Sequence, residues 1–179
     1  DLGQMHTVKV KDLPYGRFRD KGTPIDNLGN YSSATEQMVY VNSLENIRQQ
    51  KLLFVSGAGM VKQVDGSEFD VVKRTIAATK LSGENDRLIF AGICSENEYV
   101  VLQSAEGCFL KFLVQEVPEK KKAAIGVRGI RLAEGDSVEH AYLLVSGMEC
   151  RILYKDKEIS LNTRIKPAKR DGKGTRIRV

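Results

Sequence analysis

Lysines and arginines are the residues of this sequence whose types and placement most clearly imply chemistry. From Cys150 to Val179 ten of them (Arg151, Lys155, Lys157, Arg164, Lys166, Lys169, Arg170, Lys173, Arg176 and Arg178) face only Asp156, Glu158 and Asp171. That stretch carries +7 of a chain whose net charge is +5, which leaves −2 for the other 149 residues. Polarisation of this kind suits a polyanionic partner, because closely spaced phosphates reward cations held at intervals. A disordered, solvated basic tail is the competing reading. Ile159, Leu161, Ile165 and Ile177 are interleaved with the cations and favour strands instead.

Covalent and metal chemistry find little footing. Cys94, Cys108 and Cys150 are too few and too far apart for a zinc site or a disulfide framework, and they read as buried strand residues. His6 and His140 have no second ligand at metal spacing. Gly57-Ala58-Gly59 lacks the third glycine of a dinucleotide loop, and no Walker sequence or nucleophile elbow is present. Glu134 and Asp136 read as turn acids ahead of a strand, not as a general acid–base pair. No run of about 18 apolar residues could span a bilayer and no secretory leader opens the chain, so the expected location is cytoplasmic.

Cations can line a partner only if the backbone arrays them. The apolar runs are short, rich in β-branched residues and punctuated by Gly, Asn and Asp: Leu52–Val55, Met60–Val64, Leu88–Ile93, Tyr99–Leu102, Phe109–Val114, Ala141–Val145 and Ile152–Tyr154. They predict an all-β fold. Ser95-Glu96-Asn97-Glu98 and Ala105-Glu106-Gly107 read as turns joining antiparallel neighbours.

The chain also repeats itself. Leu53 to Lys62 is echoed by Val101 to Lys111, with a step of 48 from Gly59 to Gly107, and a fragment of the same unit opens the chain at Gly3. A second landmark recurs at Lys21-Gly22-Thr23-Pro24-Ile25, Ala78-Thr79-Lys80-Leu81, Arg128-Gly129-Ile130-Arg131-Leu132 and Lys173-Gly174-Thr175-Arg176-Ile177, aligning Gly22, Ala78, Gly129 and Gly174. A period of about 50 residues marks four-stranded blades, each needing its neighbours to bury a core. The expected organisation is one domain over 1–179, with units at about 1–48, 49–97, 98–147 and 148–179. That is some three and a half to four blades of a propeller.

Basic clusters fall at the same point of each unit. They are Arg17, Arg19 and Lys21; then Lys73, Arg74 and Lys80; then Lys120, Lys121, Lys122, Arg128 and Arg131; and finally Lys166, Lys169, Arg170, Lys173 and Arg176. Any one cluster is ordinarily a solvated face. Their recurrence predicts a track for a polyphosphate, with Gly22, Gly126, Gly129, Gly172 and Gly174 letting backbone amides approach phosphate oxygens.

Gly3 to Pro14, Lys21 to Leu28, Leu53 to Lys62, Ser104 to Gly107 and above all Gly126-Val127-Arg128-Gly129-Ile130-Arg131-Leu132-Ala133-Glu134-Gly135-Asp136 resemble the C-terminal domain of the A subunit of bacterial DNA gyrase and topoisomerase IV. The resemblance runs from Gly3 to about Ile177 and weakens after Tyr154. It implies a β-pinwheel, in which adjacent blades exchange strands, and a basic rim that binds and bends or wraps duplex DNA without reading its sequence. It also implies a chain that is not an enzyme by itself but part of an ATP-dependent type IIA topoisomerase. Such a module is monomeric, is joined to the remainder of its A subunit, and works with an ATPase B subunit. The DNA-linking tyrosine would lie in another domain, so Tyr15, Tyr31, Tyr40, Tyr99, Tyr142 and Tyr154 have no such role. ATP and Mg would act through other domains, and no cofactor is expected here. Ala168-Lys169-Arg170-Asp171-Gly172-Lys173-Gly174 resembles the family's basic heptad at Arg170, Gly172, Lys173 and Gly174, and departs from it at Ala168 and Asp171. A propeller that docks proteins or small ligands is the rival from another class; 7% aromatic content with no Trp argues against it.

Overall fold

A computed structural model describes residues 1–178. Its strands are β1 (Gln4–His6), β2 (Lys51–Ser56), β3 (Met60–Asp65), β4 (Thr75–Ala77), β5 (Leu88–Cys94), β6 (Tyr99–Ser104), β7 (Cys108–Leu113), β8 (Val127–Arg128), β9 (Val138–Leu144), β10 (Arg151–Tyr154), β11 (Lys157–Ser160) and β12 (Thr175–Arg176). The two α-helices, α1 (Leu44–Ile47) and α2 (Leu161–Arg164), are single turns. The all-β reading holds, and each of the seven apolar runs contains or overlaps a strand.

Two hairpins organise the molecule. β2 and β3 are joined by Gly57-Ala58-Gly59, and β6 and β7 by Ala105-Glu106-Gly107. In each turn the last glycine has a φ of +76° or +77°, and its N–H donates to Ser56 O or Ser104 O. Three-residue hairpin loops close in this way, and a left-handed residue at that point favours glycine. Acids brace both turns from outside. Asp86 Oδ1 accepts from Ala58 N at 2.8 Å, and Asp136 Oδ1 accepts from Glu106 N at 3.1 Å, so Asp136 is a turn acid as expected.

Each hairpin is the centre of a four-stranded antiparallel sheet, in the orders β5-β2-β3-β8 and β9-β6-β7-β12. The fourth strand is donated from the next part of the chain: β8 adds to β3 from more than sixty residues downstream, and β12 adds to β7 likewise. β4 adds to β1 by the same logic. Strand exchange between neighbouring sheets is therefore a property of the fold.

The stacking explains why the runs are apolar on both faces. Leu53, Val55 and Val61 of the first sheet meet Val100, Leu102, Leu110 and Phe112 of the second in one shared core. Leu52, Phe54 and Val64 face the opposite way, toward Ile47, Phe69 and Ala78. Val101 and Phe109 pack beneath Ile159, Leu161 and Ile165. A strand buried on both sides loses the in–out alternation and reads as a continuous hydrophobic run.

Several expectations are corrected. Ser95–Glu98 does not join antiparallel neighbours: β5 belongs to the first sheet and β6 to the second, so this turn crosses between sheets. Leu161 and Ile165 lie in and just after α2, not in strands, and Cys150 precedes β10. Of the three thiols only Cys94 is fully buried, and burial pushes it up to about 12. Lys21–Leu28 forms no strand, only a 3-10 turn at Ile25–Asn27. The second landmark also shifts by three residues at its last copy. Gly174 stacks over Phe109 as Gly126 stacks over Val61, so its partner in the preceding repeat is Gly126 and not Gly129.

Candidate nucleic-acid interface

The donated strands carry the cations. Lys73 and Arg74 immediately precede β4 and Lys80 follows it; Lys120, Lys121 and Lys122 lead into β8, which contains Arg128, with Arg131 just beyond. Lys166, Lys169, Arg170 and Lys173 lead into β12, which contains Arg176. In each sheet the donated strand is the outermost on that side, so its flanking loops lie at one edge and recur from sheet to sheet.

Lys80 lines a small cleft with Gly126 and the buried Lys62. At the next junction Arg170 Nη1 donates to Arg128 O at 2.6 Å, and the Asp171 carboxylate receives Arg128 through both Nε and Nη2, with Arg131 Nη2 at 3.5 Å. Arg131, Lys173 and Arg176 then share a cleft of about 340 Å³ with Glu106 and Asp136, and Arg176 is ion-paired to Glu106. Arg17, Arg19 and Lys21 are exposed on the irregular segment between β1 and α1, and among the described residues they join none of these contacts. Lys166 is exposed and likewise stands apart.

A matched pair of glutamates seats the basic loops. Glu68 accepts from Lys122 N at 2.9 Å through its carboxylate, and its main-chain carbonyl accepts the Lys122 ammonium. Glu116, 48 residues on, accepts from Arg170 N at 2.8 Å, and its carbonyl accepts Arg170 Nε at 2.9 Å. The Lys122 N–H beside Glu68 holds that carboxyl below the usual carboxylate range. Lys121 also pairs with Glu68 at 3.2 Å, its side chain 86% exposed and able to turn to a partner.

Sequence reasoning passed over a second support. Lys62, in the middle of β3, is buried, and its ammonium donates to the carbonyls of Lys121, Lys122 and Ala124 at 2.7–3.2 Å. Burial lowers its pKa to about 8, partly opposed by Glu68. Gln63 Nε2 donates to Val114 O and Val117 O, and the repeat-equivalent Lys111 Nζ donates to Asn162 O. The available signal was a long polar side chain in the centre of an apolar strand. Such a group persists only where it satisfies buried carbonyls.

Three of the glycines expected along the track, Gly126, Gly129 and Gly174, serve a close approach within the fold. A Cβ on Gly126 would lie 2.5 Å from Val61 O, one on Gly129 would lie 2.7 Å from Val61 Cγ1, and one on Gly174 would lie 2.9 Å from Phe109 O. They let the donated strand sit against the hairpin it joins. Among the described residues no cluster of His, Cys, Asp and Glu could hold a metal ion, and no helix is long and apolar enough to cross a membrane.

Stacked four-stranded sheets that exchange an outer strand define the propeller-like β-pinwheel class. Residues 50–95 and 98–144 match the family described as DNA gyrase C-terminal domain, beta-propeller, and the chain belongs to that family. Relatives include the DNA gyrase A protein of Lawsonia intracellularis, 32% identical over 146 residues that make up 79% of this chain and 17% of that protein. The corresponding gyrase A protein of Deinococcus deserti is 31% identical over 92% of this chain and 21% of its own length. The chain thus spans about a fifth or less of these curated relatives. Among solved structures, the C-terminal domain of DNA topoisomerase IV superposes with a TM-score of 0.81 at 24% identity, over 94% of this chain and 53% of that one. A DNA gyrase A C-terminal domain gives 0.71 at 22%, over 88% and 53%. At these identities the likeness bears on the fold.

Proposed function

We propose that this chain binds and bends or wraps duplex DNA without sequence preference, as the C-terminal domain of a type IIA topoisomerase A subunit that presents DNA for strand passage. The observation that carries the reading is the recurrence of basic loops beside successive donated strands, seated alike by Glu68 and Glu116, with the third and fourth clusters touching where Arg170 Nη1 donates to Arg128 O. Duplex DNA is a regular line of phosphates, and a protein that deforms it without reading bases needs cations at intervals along an edge. The strand exchange supplies the interval. DNA cleavage, ATP and Mg belong, on this reading, to other domains and to the ATPase B subunit, and the chain works in the bacterial cytoplasm.

The test is a titration of random-sequence duplex at several salt concentrations. With six to ten phosphate contacts, log K should fall against log salt with a slope of about −5 to −9. Ligation of nicked circles bound to the domain, followed by linking-number analysis, then separates wrapping from bending. A salt-independent or absent interaction defeats the proposal.

An apolar cavity of about 170 Å³ beside the first sheet, lined by residues such as Met5, Val8, Tyr40, Phe54 and Phe69, favours a ligand-docking propeller as the second reading. Saturable binding of an apolar probe there, with no DNA binding, would select it.

A further inference from the structure

Asp171 occupies an unusual position in the basic edge. Its φ of +67° is left-handed, its N–H donates to Gly129 O at 2.7 Å, and the adjoining Gly172 O accepts from Arg131 N at 2.8 Å. The backbone therefore fixes the carboxylate against β8. There it accepts the fork of Arg128, Nε to Oδ1 at 2.5 Å and Nη2 to Oδ2 at 3.1 Å, while Arg131 reaches Oδ2. The two arginine side chains are still more than half exposed, so this is a surface cluster and not a buried lock. A planar guanidinium fork takes a carboxylate or a phosphate with the same geometry.

The preceding junction is seated by the same glutamate grip but has no such acid. The residue after Lys122 is Ala123, where the residue after Arg170 is Asp171. Among the described residues no carboxylate lies within ion-pair distance of Lys80, which follows β4 as Arg131 follows β8. The repeat does not need the carboxylate, and one junction carries it.

The geometry points to Arg128 and Arg131 as a phosphodiester-binding pair that Asp171 fills in the absence of DNA, so that the carboxylate is an internal competitor setting the affinity of this edge. The inference rests on the DNA-binding reading above. When a backbone phosphate docks, Arg128 and Arg131 turn from the carboxylate to the phosphate, and Asp171 is left to water. Affinity at this junction is lower than its cation count implies, and it is restored when the acid is neutralised.

The experiment measures binding of the whole chain to a labelled random-sequence duplex across a salt series. Asp171→Asn keeps the left-handed backbone, which Asn tolerates, and removes the charge. Asp171→Gly does the same by a second route. Asp156→Asn, on the β10–β11 turn and also at positive φ, is the control for net charge. Both Asp171 variants should bind about three- to tenfold tighter than wild type, and their salt slopes should steepen by about one to two. Asp156→Asn should stay within twofold. The gain should vanish when Arg128→Gln and Arg131→Gln are added. Asp171 variants no tighter than Asp156→Asn, or a gain that survives loss of both arginines, overturn the inference while wild-type binding leaves the DNA reading standing. If neither wild type nor Asp171→Asn binds duplex, both fall together.

Discussion

Gly126→Ala tests the strand exchange on which the basic edge depends. An alanine Cβ there would stand 2.5 Å from Val61 O, 2.8 Å from Val61 C and 3.0 Å from Val61 N. These are backbone atoms in the middle of a buried hairpin, so no side chain can swing aside. Ordinary contact needs about 3.5 Å, and β8 must withdraw by about an ångström. β8 is held by only two residue pairs, Met60–Arg128 and Val61–Val127, so the retreat strains most of its pairing. Weakening one or two ladder bonds costs about 1–2 kcal/mol. Drawing Val127 and Ile130 part-way from the shared core adds about 1–2 kcal/mol. The sum, about 2–4 kcal/mol, lowers the melting temperature of a chain this size by about 5–15 °C. The assay is thermal unfolding followed by circular dichroism, with Gly83→Ala as partner. Gly83 has no positive φ and nothing within 4 Å of its Cβ, so alanine there should be neutral or stabilising by up to about 1 kcal/mol. A Gly126→Ala chain melting within about 1 °C of wild type would refute the packing argument, as would an equal fall for Gly83→Ala. Because Arg128 travels with β8, DNA affinity should fall with the melting temperature.

Three further outcomes are expected. Lys120→Ala combined with Lys121→Ala should flatten the salt slope of DNA binding by about two at unchanged stability, whereas Lys122→Ala should mainly lower the melting temperature, since its ammonium is already given to Glu68 O. Asp86→Asn should cost about 1–2 kcal/mol because both carboxylate oxygens accept hydrogen bonds, Oδ2 from Ser82 N and Oγ; Asp136→Asn should be nearly neutral because Oδ1 alone does the bracing, and chemical denaturation compares the two. Glu68, depressed by the Lys122 N–H, contributes stability that is present above its unfolded value of about 4.5 and is lost as pH falls through the lower folded value; Glu68→Gln should therefore lose less stability than wild type between pH 5 and pH 2, measured by urea unfolding.

The long strands were legible because each holds enough β-branched and aromatic residues to show itself. The donated strands were not. β8 and β12 have two residues each, and what makes them strands is an edge presented by a hairpin more than sixty residues away. The same cause misled the reading of Ser95–Glu98: a short polar turn between two strands looks the same whether they pair or part. The clusters around β4, β8 and β12 were visible as recurrent charge. Of their counterweights, Asp171 was visible as an acid within the basic heptad but not its partners Arg128 and Arg131, and Glu68 and Glu116 were not visible at all, because groups 40 to 60 residues distant in sequence come into register only through strand exchange. Lys62 was the most instructive omission, since its value lies wholly in three carbonyls that the sequence does not place.

Strand donation also couples the fold to the proposed work. A blade that kept all its strands could carry basic loops anywhere along its rim, and neighbouring loops would be related only by packing. Here the segment that leaves one hairpin must reach the edge of the previous one, so the loops before β8 and β12 are tethered at both ends to adjacent sheets. Glu68 and Glu116 pin them at the same point, 48 residues apart. The cations thus inherit the spacing of the sheets themselves. On the proposed reading, a DNA backbone lying on this edge would meet charge at an interval fixed by the core, with no loop having to order on binding.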